Sequence, residues 1–230
     1  LRILYAGLLN RFQKRVFDVV DITRQLIECR TPVELTFSGG GDDEAELRQA
    51  CGDLVEDGTV RFTGILDRKH LAAEMTTHQV FILTSEFEGL PNALLEAMAH
   101  GLVPVVSEVE SGISEVIVHG TNGLTAPVGD VAGFVEHLTR LSNNPRMLED
   151  LSVRARATIT DGPYSRQHMV ASYTAVFDEL LRRIEIGDVP RRDGGIRPPA
   201  DLGPLWRHRI PQPVRALWRW LKGSHRAADR

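Results

Sequence analysis

Two carboxylates, Glu88 and Glu96, lie eight residues apart in the stretch EGLPNALLEAMAHGLVPV. Residues 92–100 are predicted to form a helix, because Pro91 suits a helix start and Gly101 suits a C-terminal stop. This helix is apolar on nearly every face, so it is expected to be largely buried. A buried, ionised Glu96 needs hydrogen-bond donors or a charged partner. Glu88 is expected in the loop that precedes the helix.

The N-terminus of the predicted helix could bind an anion. It presents free N–H groups and the positive end of the helix dipole. Glu96 lies within about 1.5 turns of that end, so it could accept hydrogen bonds from hydroxyls beside a bound diphosphate. Glu88 would add a second carboxylate from the loop. The alternative is that Glu96 pairs with an arginine or extends to solvent and that Glu88 is a solvated loop acid, and the spacing leaves both readings open.

The elements that must position these carboxylates alternate along the chain between short apolar segments and longer amphipathic ones. The predicted strands are 3–7, 33–41, 60–64, 80–85, 102–107 and 123–128, and the predicted helices are 16–27, 44–55, 70–75, 92–100, 113–119, 130–142, 145–159 and 165–185. This alternation indicates right-handed crossovers and a parallel sheet covered on both faces. We therefore predict an α/β fold with a doubly wound, Rossmann-like parallel sheet of about six strands.

Ligands of such sheets bind beyond the carboxyl ends of the strands. Those ends carry the sequences AGLLN, SGGGDD, TGIL, TSEFEGLPN and SEVESG. SGGGDDE lacks the third glycine of the dinucleotide-binding fingerprint G-x-G-x-x-G, so the dinucleotide-binding interpretation is weak.

Composition excludes several other classes of function. No apolar run approaches the ~20 residues that span a bilayer. Cys29 and Cys51 lack metal or redox spacing, which favours a reduced, cytoplasmic setting. No grouping of histidine and carboxylate residues has the spacing of a metal site, and no metal is predicted. His100 and His119 are expected at the surface, near helix ends.

The charge distribution predicts a boundary near residue 187. Residues 1–187 carry 27 acidic and 17 basic side chains, whereas residues 188–230 carry 4 and 10. We predict a domain over 1–187 and a basic tail over 188–230, with an amphipathic helix at 213–222. A basic helix that contains Trp suits contact with a membrane interface, and the alternative is an arm that packs on a partner. The acidic body argues against nucleic-acid binding.

With these residues in view, the stretch from Glu88 to Glu96 resembles the E-x7-E motif of the retaining glycosyltransferases of family four. ILYAGLLNRFQKRV, TFSGGGDD, VRFTGIL and HGTNGLTAPVGD resemble further segments of that family, in the family's order, so the resemblance covers about residues 2–185. It implies a GT-B fold, in which two Rossmann-like domains face a cleft. This chain would be the carboxyl-terminal, donor-binding domain, and the amino-terminal acceptor domain is expected to be absent.

The resemblance also implies roles for individual residues. Glu96 would hydrogen-bond the ribose of the donor nucleotide, and Glu88, the implied catalytic residue, would contact the transferred sugar. Lys14 would neutralise the diphosphate, unless it is a solvated charge at the start of a helix. The remaining implied donor-binding residues act through the backbone: Gly7 and Gly39 by close approach, Gly64 and Leu66 beside the base, and Gly89, Leu90 and Asn92 through their N–H groups. The family's transfer needs no metal in this domain.

One departure from the family concerns the diphosphate. The family usually has an arginine directly after the glycine of the first strand, and this chain has Leu8. Losing a charged hydrogen-bond donor typically costs ~1.5–3 kcal/mol. Arg11, in the same loop, is a candidate to replace the missing charge.

The resemblance leads to a functional hypothesis. The chain would be the donor-binding half of a retaining glycosyltransferase that moves a hexosyl group from a nucleotide sugar, with UDP the favoured nucleotide, to a glycan or lipid-linked acceptor. It would need an acceptor domain or a partner chain, and it would act in the cytoplasm or peripherally at the inner face of the membrane. The alternatives are a non-catalytic nucleotide-sugar-binding module and a related sugar-nucleotide epimerase.

Overall fold

Six short strands, apolar along most of their length, form one parallel sheet in the order β3-β2-β1-β4-β5-β6. The computed structural model describes residues 1–185, apart from the side chains of residues 166, 184 and 185. The strands are β1 (Arg2–Ala6), β2 (Glu34–Ser38), β3 (Val60–Gly64), β4 (Val80–Leu83), β5 (Val103–Glu108) and β6 (Leu124–Pro127). The predicted doubly wound parallel sheet is confirmed.

Nine helices connect and flank these strands within residues 1–185. They are α1 (Val16–Glu28), α2 (Glu44–Ala50), α3 (Gly52–Glu56), α4 (Arg68–Met75), α5 (Asn92–Ala99), α6 (Gly112–Val116), α7 (Val131–Asn143), α8 (Pro145–Thr160) and α9 (Arg166–Glu185). The chain divides into two compact units, Leu1–Ala175 and Val176–Arg230, and the whole sheet belongs to the first. The tail predicted over 188–230, with its helix at 213–222, lies outside the described residues.

Three predicted boundaries were wrong, each for a local reason. The helix predicted over 44–55 divides at the buried Cys51, next to Gly52, a residue that disfavours helix interiors. The helix predicted over 113–119 ends early because the Asn122 side chain accepts from Val118 N at 2.7 Å and donates to Val116 O at 2.8 Å. The strand predicted over 33–41 ends at Ser38, because the next residue, a glycine, has a φ of 140°.

Helices flank the sheet in packed pairs, α1 with α7 and α5 with α8. The largest fully buried side chains include Tyr5, Phe37, Phe81 and Phe134. Burying an apolar side chain of this size contributes roughly 1.5–3 kcal/mol. The core therefore fixes the strands rigidly and, with them, the loops at their ends.

The sheet order brings two loops together at its carboxyl edge. From β1 the chain moves outward through β2 to β3, and then returns to place β4 on the other side of β1. Such a reversal of strand order opens a crevice between the loops that follow the two central strands. These loops are residues 7–15, the β1 loop, and residues 84–91, the β4 loop. No helix within residues 1–185 is both long and apolar enough to cross a membrane.

Candidate functional site

The β1 loop is fixed from two directions. Asn10 Oδ1 accepts hydrogen bonds from the N–H groups of Gln13 and Lys14 at 3.1 and 3.0 Å. Thr84, at the end of β4 and only 1% exposed, donates from Oγ1 towards the carbonyls of Lys14 and Arg15 at 3.0 and 3.1 Å. Arg15 has a φ of 47°, a left-handed conformation that is uncommon for a residue with a side chain. These contacts set the direction of the Lys14 side chain.

The β4 loop is bonded to the β1 loop by backbone and by charge. Glu86 N donates to Gln13 O at 2.7 Å, and Arg15 Nη1 contacts Glu86 Oε2 at 3.1 Å. The Lys14 ammonium forms an ion pair with Glu88 Oε1, and the same oxygen accepts from an adjacent serine hydroxyl of the loop. The two loops therefore form one structural unit around the Lys14–Glu88 pair.

The Lys14–Glu88 pair is nearly buried. The side chains are 14% and 6% exposed. Ser85, itself 1% exposed, donates from Oγ to Glu88 Oε1 at 2.7 Å. The readings of Glu88 as a solvated loop acid and of Lys14 as a solvated charge are therefore wrong. The structure brings together Glu88 and Lys14, the two residues for which the resemblance implied contacts with the sugar and the diphosphate.

Glu96 lies on α5, one helical turn beyond its first residue. The neighbouring Leu94, Ala97 and Met98 are buried, whereas Glu96 is half-buried. Its backbone carbonyl accepts from the backbone and side chain of His100. Within the part of the chain that the structure describes, its carboxylate forms neither an ion pair nor a hydrogen bond. The alternative that Glu96 pairs with an arginine is thus not realised among residues 1–185.

The N–H groups at the start of α5 are also without acceptors. Gly89 and Leu90 are exposed loop residues, and Asn92 is the exposed first residue of the helix. Between residues 1 and 185 nothing accepts a hydrogen bond from their backbone N–H groups. Pro91, at the N-cap, has no N–H to donate. The helix start can therefore bind an anion through its amides, as its dipole favours.

A cavity of about 330 Å³ opens beside this helix start. It lies at the carboxyl ends of β1 and β2 and is mainly apolar. Its lining residues are Ala6, Gly7, Leu8, Ser38, Gly39, Gly40, Ile65, Leu66, Leu71 and Ala93. Gly7, Gly39 and Leu66, three of the predicted donor-binding residues, are thus brought together, and Gly64 ends the neighbouring strand with a φ of 69°. Ala93 belongs to the first turn of α5, so the cavity adjoins the predicted anion site.

Of the two predicted close-approach glycines, Gly39 has a structural reason to be glycine and Gly7 has none of its own. A Cβ added at Gly39 would lie 1.9 Å from Gly7 O, and Gly39 has a φ of 140°. A Cβ added at Gly7 would meet only Tyr5 Oη, at an ordinary 3.5 Å. The close approach that the sequence suggested is therefore between two backbone segments of this chain. Both glycines nevertheless border the cavity.

Arg11 does not supply the charge that Leu8 lacks. Its guanidinium binds Asp43 Oδ1 at 2.8 Å and also pairs with Glu46. This hydrogen bond holds the pKa of the Asp43 carboxyl below its usual value. Leu8 itself is half exposed and lines the cavity. Lys14 is thus the cation of the β1 loop that the structure places beside Glu88.

Sequence reasoning missed the residues that support the pair. Tyr5 is fully buried and donates to Leu8 O at 2.7 Å; burial raises the pKa of its hydroxyl, and the Glu88 carboxylate adds to that rise. The two hydroxyls that follow the apolar strand VFIL, Thr84 and Ser85, could have signalled buried polar contacts. The left-handed Arg15 has no sequence signal, because this position ordinarily favours glycine.

The arrangement suits a nucleotide whose diphosphate meets Lys14 and the α5 amides. Carboxylates at Glu88 and Glu96 could accept hydrogen bonds from hydroxyls on either side of it. Among residues 1–185 there is no group of three or more His, Cys, Asp or Glu side chains that could hold a metal ion.

Residues 1–144 match the family model described as "Glycosyl transferases group 1". The amylovoran biosynthesis glycosyltransferase AmsK of Erwinia amylovora is 34% identical over 165 residues, which are 69% of this chain and 40% of that protein. The phosphatidyl-myo-inositol mannosyltransferase of Mycobacterium leprae is 32% identical over 148 residues, 64% of this chain and 38% of that protein. The chain therefore spans about two fifths of the length of these relatives.

Solved structures show the same fold. TarM of S. aureus, determined with UDP, aligns with a TM-score of 0.69 at 17% identity, over 76% of this chain and 35% of that one. The outer core galactosyltransferase WaaB aligns with a TM-score of 0.63 at 27% identity, over 77% and 49%. A structure from Francisella tularensis described as the C-terminal domain of a group 1 glycosyl transferase has a TM-score of 0.63 at 17% identity, over 70% of this chain and 84% of that domain.

Proposed function

Because the chain belongs to the glycosyl transferases group 1 family, we propose that it is the donor-binding half of a retaining glycosyltransferase of family four. It moves a hexosyl group from a nucleotide sugar to a glycan or lipid-linked acceptor. Its match to 84% of a domain described as C-terminal supports this placement. Since the chain spans about 40% of AmsK, we further propose that an acceptor domain or partner chain completes the enzyme.

The observation that carries this proposal is the meeting of Lys14, Glu88 and the α5 N-terminus at the crevice between β1 and β4. In glycosyl transfer the leaving nucleoside diphosphate gains negative charge. A preorganised cation and free amides lower the barrier by stabilising that charge. We assign Lys14 and the N–H groups of Gly89, Leu90 and Asn92 to this stabilisation.

The remaining assignments follow the shape of the site. Glu96, half-buried and without a partner among residues 1–185, accepts hydrogen bonds from the ribose. Glu88 contacts the transferred sugar. The apolar cavity holds the base, with Gly64 and Leu66 at its border. TarM and the Anabaena protein HepE were each determined with UDP, which favours UDP over GDP and ADP for this chain.

The test of the donor site is thermal unfolding with UDP, GDP and ADP, and then with their sugar conjugates. A ligand at ~100 times its dissociation constant adds about 2.7 kcal/mol of stability, which raises the midpoint by several degrees. We expect UDP to give this shift and Glu96→Ala to abolish it. Glu136→Ala is the control, because Glu136 is an exposed glutamate on α7 that does not line the cavity.

If none of the three nucleotides shifts the midpoint, the donor-site proposal is wrong.

The second candidate function, a non-catalytic nucleotide-sugar-binding module, is favoured by Leu8 and by the engagement of Arg11 with Asp43 and Glu46. The two candidates differ in turnover. Once an acceptor half is supplied, Glu88→Ala should abolish transfer in an enzyme, whereas a module shows no transfer with any partner. The cytoplasmic location and the membrane contact of residues 213–222 stay predictions.

A further inference from the structure

Lys14 has a partner before any donor arrives. Its ammonium is paired with Glu88, and both side chains are largely withdrawn from water, at 14% and 6% exposure. The proposed function gives Lys14 a second partner, the donor diphosphate. An ammonium has three N–H donors on a flexible stem, so it can turn from one anion to the other.

We propose that the donor diphosphate displaces Glu88 from Lys14, so that binding exchanges one ion pair for another. This inference rests on the proposed function and adds an order of events to it. The Glu88 carboxylate becomes available to the sugar only after the diphosphate has engaged Lys14. The Lys14–Glu88 pair therefore opposes nucleotide binding until it is broken.

The surroundings of Glu88 support an exchange. Ser85 Oγ donates to the same oxygen that Lys14 contacts, at 2.7 Å. Glu88 thus keeps one hydrogen bond when Lys14 leaves, and its position in the β4 loop is retained. Within residues 1–185, no basic side chain other than Lys14 pairs with Glu88. A carboxylate this buried needs new donors when it loses its cation, and the hydroxyls of the incoming sugar are such donors.

The backbone that carries Lys14 is held independently of the pair. Asn10 bonds the Lys14 N–H, and Thr84 bonds the Lys14 carbonyl. The side chain can therefore change partners without a movement of the β1 loop. The exchange requires only rotation of the Lys14 side chain.

The test is the affinity for UDP, measured by isothermal titration calorimetry with the full chain. If Glu88 competes with the diphosphate for Lys14, Glu88→Gln should tighten UDP binding about tenfold, the order of one charged hydrogen bond. In a Lys14→Met background the same Glu88→Gln change should alter the affinity less than about twofold, because there is no ammonium to compete for. This comparison separates competition from simple repulsion between Glu88 and the phosphates.

Glu86→Gln is the matched control. Glu86 lies two residues from Glu88 in the same loop, but it contacts Arg15 and not Lys14. It should change UDP affinity less than about twofold. If Glu88→Gln shows no unfolding transition, and so does not fold, the UDP affinity of Glu88→Ala tests the same competition.

Three results would overturn the exchange. The first is an unchanged or weaker affinity in Glu88→Gln, which would mean that Lys14 serves both anions at once or does not meet the diphosphate. The second is an equal tightening in the Lys14→Met background, which would mean repulsion. In both cases UDP still binds, so a nucleotide site remains, but the assignment of Lys14 to the diphosphate is lost if Lys14 does not meet it. The third is no binding of UDP to the unaltered chain, which removes the donor site and the exchange together.

Discussion

The two edges of the sheet are built differently. At the carboxyl edge, the loops after β1, β3 and β4 expose five large apolar side chains. These are Leu8, Phe12, Ile65, Phe87 and Leu90. The turns that lead into β2, β3, β4 and β5 at the amino edge expose none of that size, and the turn before β6 exposes one, Val118. There, polar contacts close the turns: Arg2 and Gln79 exchange hydrogen bonds at 3.0 and 2.9 Å, and Asp57 Oδ1 accepts from Thr59 N at 2.9 Å.

The difference separates binding from stability. Exposed apolar side chains and free helix amides both carry a cost to the folded state. They are found together at the edge where a parallel sheet binds its ligands. The amino edge satisfies its polar groups within the chain, as a region that serves stability does. Substitutions at the two edges should therefore change different measured quantities.

The largest effect is expected on the free energy of unfolding at Gly39, a position of the carboxyl edge where the fold requires glycine. Gly39→Ala places a Cβ 1.9 Å from Gly7 O in a residue with a φ of 140°. Backbone strain and overpacking together should cost about 3 kcal/mol. Urea unfolding of the ligand-free chain measures the loss.

Gly89→Ala is the control for this prediction. Gly89 also lies at the carboxyl edge, but a Cβ there would meet nothing within 4 Å. Gly89→Ala should change the free energy of unfolding by less than about 0.5 kcal/mol. Equal stability of the two variants would show that the backbone at Gly7 moves at little cost to accommodate a Cβ at position 39, and that glycine is not required there.

The second effect should appear in binding and not in stability. Ile65 is 84% exposed and lines the cavity assigned to the base. Ile65→Ala should leave the unfolding midpoint nearly unchanged, because little buried area is lost. It should weaken UDP binding about threefold to tenfold, since a few buried methyl groups contribute ~1 kcal/mol. Calorimetric titration with UDP measures the change.

Val118→Ala is the matched control for Ile65. Val118 is an exposed apolar residue in the turn before β6, at the amino edge. Its truncation should change neither stability nor UDP affinity. An unchanged UDP affinity in Ile65→Ala as well would mean that the base lies elsewhere, although it would not affect the assignment of Lys14 and Glu96.

The sequence predicted the sheet because its strands are apolar along most of their length and its helices have a clear period. The resemblance to the glycosyltransferases of family four, and not the periodicity, implied that Glu88, Lys14 and the start of α5 would all serve one nucleotide-sugar donor. The ion pair between Glu88 and Lys14 was not predicted. Periodicity specifies which loops are adjacent, whereas pairing depends on side-chain direction within those loops.

The contacts that set those directions lie in features without a sequence signal. Arg15 adopts a left-handed conformation that its residue type disfavours, and its side chain forms a local ion pair with Asp18 and a tertiary one with Glu86. The same limit explains Arg11. Its position in the β1 loop suggested a phosphate contact. Its guanidinium instead binds Asp43, which precedes α2, and Glu46, which lies on α2. Neither acid is close to Arg11 in the sequence.

The smallest effect is expected at the amino edge and depends on pH. His78 precedes β4, is 4% exposed, and bonds Thr36 Oγ1 and Glu74 O at 2.9 and 2.8 Å. Burial lowers its pKa below the ordinary 6.5, and Arg61 and Arg2 add to this while Glu74 opposes it. The unfolded chain therefore binds the proton first, so the stability due to neutral His78 is complete above about pH 6.5 and is lost as the pH falls towards the folded pKa.

Urea unfolding between pH 7.5 and 5.5 should thus show a steeper loss of stability in the unaltered chain than in His78→Gln. His168→Gln, at an exposed histidine of α9, should follow the unaltered chain. UDP affinity should be the same in all three at any one pH, because His78 is at the opposite edge of the sheet from Lys14. A change in UDP affinity that follows His78 would show that the two edges are coupled, and the separation of binding from stability would then fail.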